Sequence, residues 1–393
     1  MSFRRLILTG GLFIPLTLLW ASTLQGVTIS GTIKGSRGDG IPGAMVTAKD
    51  LTRGIAKTVF SNDQGQYLIP ELFPGKHELR ARRIGFTTGE KKDMEVNESG
   101  ISKLNFDLSP TSDIADQLPS TTWMALLPPG EMKRKFILGC NGCHQFGEIS
   151  TRKPRPKGEW AETIRRMQEM GLGGTLRVGY FLMPGIEEDT LSTWLVENGF
   201  GEGSAPIELV PPPPVTGEAT RVMITEYDVG EADSSLHDAT VDRDGYGWAV
   251  DFIHDALYKV DPTSGIATKY DFPIKGSGPH TIHPDRDNIL WITLELADMV
   301  ASFDPKTEEF RLYGGFTPHA FVHSFAIDSM GYIAYDAGGN LWVSEFLNNS
   351  VARLNPKTGE VKEYSLPITD NFPRNVAGPY GITMDSRRMS GIP

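Results

Sequence analysis

His237-Asp238-Ala239-Thr240-Val241-Asp242, His280-Thr281-Ile282-His283-Pro284-Asp285 and His323-Ser324-Phe325-Ala326-Ile327-Asp328 share one frame, His-x4-Asp. Tyr380 to Asp385 repeats it with tyrosine in place of histidine. Trp248, Trp291 and Trp342 recur further along each unit, followed by Asp261-Pro262, Asp304-Pro305 and Asn355-Pro356. The first two units are 43 residues apart by both markers, since 280 minus 237 and 291 minus 248 agree. A period in the forties, built of short strands, predicts a β-propeller. Closed propellers have about four to eight blades, so three units and the start of a fourth predict an incomplete propeller over residues 221–393 and a longer native product.

Upstream, Pro211 to Pro214 form a stiff linker, and before it the texture is helical. Glu131 to Gly139 reads as a helix entering Cys140-Asn141-Gly142-Cys143-His144. Lys157 to Met170 reads as a second helix, with Trp160, Ile164 and Met167 on one face. After Met183-Pro184 comes a third, opened by Glu187-Glu188-Asp189, whose acids suit the positive end of the helix dipole. The chain's only two cysteines lie in C-x-x-C-H, the haem-attachment pattern. A thioredoxin-like pair would need a βαβ setting and a structural zinc further ligands close by; the flanks offer neither.

Residues 27–110 alternate apolar and polar in short runs separated by Gly, Pro and Asp, as in Val27-Thr28-Ile29-Ser30-Gly31-Thr32-Ile33. Period two with frequent turn signals predicts a small all-β sandwich. The N-terminus, with Arg4-Arg5, an apolar stretch from Leu6 to Trp20 and small or polar residues to Gly26, reads as a signal peptide over 1–26. An uncleaved anchor is the alternative and the one route to a membrane association. Export to the periplasm or beyond follows from the signal reading. The net charge of -11, with no long basic block, argues against a nucleic-acid partner.

Three resemblances rest on these residues. Gly40-Ile41-Pro42-Gly43-Ala44, Asn62-Asp63-Gln64-Gly65-Gln66-Tyr67 and Leu72-Phe73-Pro74-Gly75-Lys76-His77 resemble the carboxypeptidase regulatory-like domain family, which implies a binding or spacer module. Residues 128–202 resemble the class I cytochromes c, a small all-α domain. That resemblance implies a covalent haem c held by Cys140, Cys143 and His144, with Met183 as sixth iron ligand; Met167 or Met170 from the helix, or an open site, are the alternatives. Gly245-Tyr246-Gly247-Trp248, Asp261-Pro262-Thr263-Ser264-Gly265 and Gly378-Pro379-Tyr380-Gly381 resemble the streptogramin (virginiamycin B) lyase and SMP-30-like propellers.

The lyase resemblance implies a centre of histidines and a glutamate with magnesium. Glu345 fits a Trp-x-x-Glu frame, but Asp251 and Leu294 hold the matching places, so the catalytic set does not carry over residue by residue. His237, His280 and His323 share one repeat position and are candidate ligands of a divalent metal such as magnesium at the channel mouth; duplication of a structural residue is the competing explanation. The expectation is a multidomain exported cytochrome that exchanges electrons with a redox partner protein. Its β modules would bind a partner, carbohydrate, peptide or small molecule. A propeller lyase, a haem-coupled dehydrogenase and an extracytoplasmic binding or sensor protein are the rivals.

Overall fold

The structure, a computed structural model, describes residues 26–97, 101–140, 154–169, 187–204, 207–367, 378–385 and 390–391. The chain is mostly β, in several sheets, with few helices. Cys143, His144, Met170, Met183 and the N-terminal segment 1–25 lie outside the described residues.

Alternation builds the first unit. In β1 (Val27–Gly35), β4 (Gln66–Leu72) and β5 (Gly75–Arg82), every second side chain points into one core, which collects Ile29, Ile33, Ile69 and Leu79. One sheet has the order β4-β1-β7, with β7 at Ile101–Lys103, and β8 (Phe106–Leu108) also pairs with β1. The other joins β5 to β2 (Met45–Asp50), β3 (Ile55–Phe60) and β6 (Gly89–Val96). The β3–β4 turn closes on Asn62, whose side-chain oxygen accepts the N–H groups of Gln64 (3.0 Å) and Gln66 (2.8 Å). Gly65 there has φ +75°, and a Cβ on it would lie 2.5 Å from the carbonyl oxygen of Ile33, so both angle and space require glycine.

The strand that opens the 221–393 segment, β9 (Met223–Tyr227), does not join a blade. It pairs antiparallel with β3 as the fifth strand of the sandwich sheet. An edge strand leaves a row of backbone donors and acceptors unsatisfied, and β9 satisfies that row from within the chain. The Tyr227 hydroxyl then donates to the carbonyl of Pro262 (3.1 Å), tying the sandwich to the first blade.

The helical unit comprises α1 (Ser120–Leu126), α2 (Glu131–Cys140), α3 (Lys157–Glu169) and α4 (Glu188–Leu195). Trp123, Phe136, Trp160, Ile164, Leu191, Leu195 and Phe200 form its core. The Trp160 indole donates to the Phe200 carbonyl at 2.7 Å. Met167 packs against the same core, as does half-buried Cys140 at the end of α2. No helix among the described residues is long and apolar enough to cross a membrane.

Three four-stranded antiparallel meanders follow: β10 (Leu236–Val241) to β13 (Ala267–Asp271), β14 (Pro279–Pro284) to β17 (Glu309–Tyr313), and β18 (Val322–Ile327) to β21 (Val361–Ser365). Their second strands are β11 (Gly247–Asp251), β15 (Leu290–Leu294) and β19 (Leu341–Glu345), and each meander is one blade. First strands lie side by side, β10 against β14 and β14 against β18, while apolar side chains of successive blades interleave between the sheets. β22 (Ile382–Met384), from the fourth repeat, runs parallel to β18.

The repeated tryptophans and aspartates are blade cement. The indole of Trp248 donates to Asp242 (2.8 Å) and that of Trp291 to Asp285 (3.2 Å). In the third blade Trp342 donates to Asp336 (3.1 Å), not to Asp328, the aspartate of the His-x4-Asp frame. Histidine and tryptophan are 19 residues apart there against 11 in the other two blades, and the extra eight residues carry a second aspartate turn.

Candidate functional site

The His-x4-Asp frame places each histidine as the second residue of a blade's first strand. Because those strands are neighbours, the rings meet. Centroids of His237 and His280 are 3.7 Å apart, those of His280 and His323 4.3 Å, and those of His323 and Tyr380 4.1 Å. Phe252 and Phe346 flank this row, Phe252 at 6.1 Å from His237 and Phe346 at 5.5 Å from His323.

The three histidines are not equivalent. His237 is exposed and its Nδ1 is occupied by the carbonyl oxygen of His280 (3.0 Å). His280 and His323 are buried, 6% and 4% exposed. Their ligand atoms converge with a carboxylate oxygen of Glu295, itself 5% exposed, so that one atom from each residue lies within 4.8 Å of the others. The Nε2 of His280 is 3.9 Å from a Glu295 oxygen, and Nδ1 of His323 has no hydrogen-bond partner among the described residues.

Burial sets the protonation of this cluster. It drives the His280 imidazolium well below its ordinary range, and the neighbouring rings of His323 and His237 push the same way. Burial, then His237, lowers His323 to about 4. Burial raises Glu295 to about 8, with the nearby charge of Asp298 adding to the effect. At neutral pH the centre therefore holds two neutral imidazoles facing a carboxylic acid. Neutral imidazole is the form that binds metals.

Two imidazoles and one carboxylate suit zinc, copper, nickel or iron better than magnesium, which prefers an all-oxygen shell. On a tetrahedral zinc, with bonds of about 2.0–2.1 Å, ligand atoms sit roughly 3.3 Å apart. The His280 Nε2 and Glu295 oxygen, 3.9 Å apart, lie slightly beyond that spacing.

Glu295 was not among the residues marked by the sequence frame. Its signal lies in the fourth position after each tryptophan, where the blades carry Phe252, Glu295 and Phe346. An acid replaces, in the second blade alone, an aromatic that packs on the imidazoles. The third position after tryptophan, where Glu345 drew attention, is buried in every blade as Asp251, Leu294 and Glu345. Glu345 lies apart from the imidazole–Glu295 group. It accepts from the Ser350 hydroxyl, and its proton affinity is raised by burial and by the nearby acid Glu363.

Residues 28–109 match the carboxypeptidase regulatory-like domain family. No curated protein sequence matches the chain significantly. Among solved structures the chain is similar to a selenomethionine-substituted virginiamycin B lyase from Staphylococcus aureus, with 18% identity, TM-score 0.36, and coverage of 43% of this chain and 52% of that one. A streptogramin B lyase structure shares 22% identity at TM-score 0.34 over 43% of this chain and 65% of that one. The extracellular domain of a one-component system from B. thetaiotaomicron shares 17% identity at TM-score 0.30 over 39% of this chain and 18% of that one. The chain thus spans between half and two thirds of the two lyases, and it carries one carboxypeptidase regulatory-like domain at residues 28–109.

Proposed function

We propose that this is an exported, extracytoplasmic binding protein whose propeller centre holds a divalent metal of the zinc class between His280, His323 and Glu295. The observation that carries this reading is the convergence of three buried donors within 4.8 Å, one with a nitrogen that no other described residue satisfies. Three protein ligands leave a tetrahedral metal one position for water or a small ligand, and a metal in that state polarises carbonyl oxygens. Titration calorimetry with zinc tests the reading: the wild type should bind one equivalent, and His280→Asn, His323→Asn and Glu295→Gln should each weaken binding by more than the roughly 10–100-fold typical of changing a residue that only orients a ligand. Equal zinc affinity in wild type and all three variants would refute it.

A second reading concerns the helical unit and is favoured by the C-x-x-C-H motif. We infer that Cys140 and Cys143 attach a haem c, that His144 ligates its iron and that Met183 is the sixth ligand. In the described part of the unit, Cys140 ends a helix and packs against a core containing Trp123, Phe136 and Leu191. Bound there, haem would supply one-electron transfer to a redox partner protein. The protein would then couple a ligand-binding propeller to an electron carrier.

A further inference from the structure

Asp255 and Asp298 occupy the same position in the first and second blades, 43 residues apart. Both adopt left-handed backbone, each with φ +50°, a conformation that aspartate and asparagine tolerate better than other side chains. Asn349, with φ +53°, holds the same place in the third blade.

Asp255 is 5% exposed, and its carboxylate gathers one loop. It accepts the N–H groups of Gly276 (2.7 Å), Ser277 (2.7 Å) and Gly278 (3.2 Å) and the Ser277 hydroxyl (2.8 Å). That loop ends two residues before His280. Its carbonyls also hold the far side of the centre, because Gly278 accepts the N–H of Glu295 (3.0 Å) and Ser277 that of Leu296 (3.1 Å). One buried carboxylate therefore fixes both the strand that delivers His280 and the backbone of Glu295. Asp298 repeats the device one blade on. It accepts the N–H groups of His319 (2.7 Å) and Phe321 (2.9 Å), two residues short of His323, while the carbonyls of Phe321 and Ala320 accept the N–H groups of Phe346 (3.0 Å) and Leu347 (3.1 Å).

We propose that Asp255 and Asp298 are positioning residues for the metal centre: Asp255 aligns His280 with Glu295, and Asp298 aligns His323. The physical basis is that charge-assisted bonds to backbone N–H groups are short and about twice as strong as neutral ones. A metal site needs its donors held to within a few tenths of an ångström. The inference rests on the metal reading of the centre, and its test separates the two.

Asp255→Ala, Asp255→Asn and a control, Asp261→Ala, are compared with the wild type. Asp261 accepts the Thr263 N–H and Ser264 hydroxyl in a hairpin turn of the same blade, so its loss perturbs the blade without touching the centre. In metal-free protein, hydrogen exchange at the Glu295 and Leu296 amides and the ring resonances of His280 are read by NMR. In a second arm, zinc affinity is measured. Asp255→Ala should speed exchange at both amides, shift the His280 ring and lower zinc affinity by about tenfold or more; Asp261→Ala should do none of these. Asp255→Asn keeps one acceptor oxygen and should fall between, which preserves the test should the alanine variant fail to fold. Unchanged exchange and ring resonances in Asp255→Ala, or an equal loss of affinity in Asp261→Ala, would overturn the proposal. A wild type that takes up no zinc would sink the metal reading, and the metal-free arm would still decide whether Asp255 sets the geometry of His280 and Glu295.

Discussion

The rings of His323 and Tyr380 meet at a tilt of 54° with centroids 4.1 Å apart, so the row of rings begun by His237 continues into the fourth repeat with a phenol where the frame has an imidazole. The row has a buried middle and exposed ends, since His237 and Tyr380 are exposed while His280 and His323 are not. Burial separates the rings, because among the described residues it is the buried pair whose ligand atoms converge with Glu295.

This asymmetry predicts the effect of His237→Asn. Its Nδ1 is already engaged by the His280 carbonyl, so the substitution should leave zinc affinity within a few-fold of wild type. Calorimetry on this variant beside His280→Asn distinguishes a two-imidazole centre from a three-histidine ring. Losses of equal size in both variants would favour the ring.

The pH dependence has two limbs of opposite sign. Glu295 is raised from 4.5 to about 8 in the folded protein, so its contribution to stability is full below the unfolded value and is lost as pH rises through about 8. His323, lowered to about 4, and His280, lowered further, contribute stability that is full above about 6.5 and falls as pH drops. Denaturant unfolding of metal-free protein between pH 4 and 9 should show both limbs, and Glu295→Gln should flatten the alkaline one alone. Zinc affinity should climb with pH toward 8, because metal displaces the Glu295 proton. A zinc affinity independent of pH from 6 to 8.5 would contradict this protonation.

The third blade offers a test of the tryptophan cement. Asp336→Ala leaves the Trp342 indole without its acceptor and should cost about 1–3 kcal/mol. Asp328→Ala removes turn bonds to Met330 and Tyr332 and should leave the Trp342 indole N–H resonance where it was. Unfolding curves and the indole region of the NMR spectrum report both. A shift of the Trp342 signal in the Asp328 variant only would reverse the assignment.

For the helical unit, protein made with a haem-attachment system should keep its haem on denaturing gels, and Cys140→Ala combined with Cys143→Ala should abolish the stain. Met183→Ala should remove the sulfur-to-iron band at the red end of the visible spectrum while Met167→Ala keeps it, since Met167 packs against the helical core. A colourless protein holding stoichiometric zinc at Cys140 and Cys143 would disprove haem attachment.

Local periodicity by itself determined a great deal of this protein. The alternation of β1, β4 and β5 and the acidic start of α4 depend on residues close in the chain, where side-chain direction follows from strand or helix geometry alone, and the 43-residue frame is read from the repeat itself. The frame also placed His237, His280 and His323 in one row, because a repeat returns each residue to the same place in successive blades. Tertiary structure alone decided three things. It made Asp336 the partner of Trp342, since an insertion of eight residues offers two aspartate turns and only packing selects one. It joined β9 to the sandwich, because strand pattern shows which residues can form a ladder and not which edge is left unpaired. It set Glu295 against His280 and His323, because which donors share a buried space depends on how neighbouring blades pack, and burial, not residue type, shifts their proton affinities.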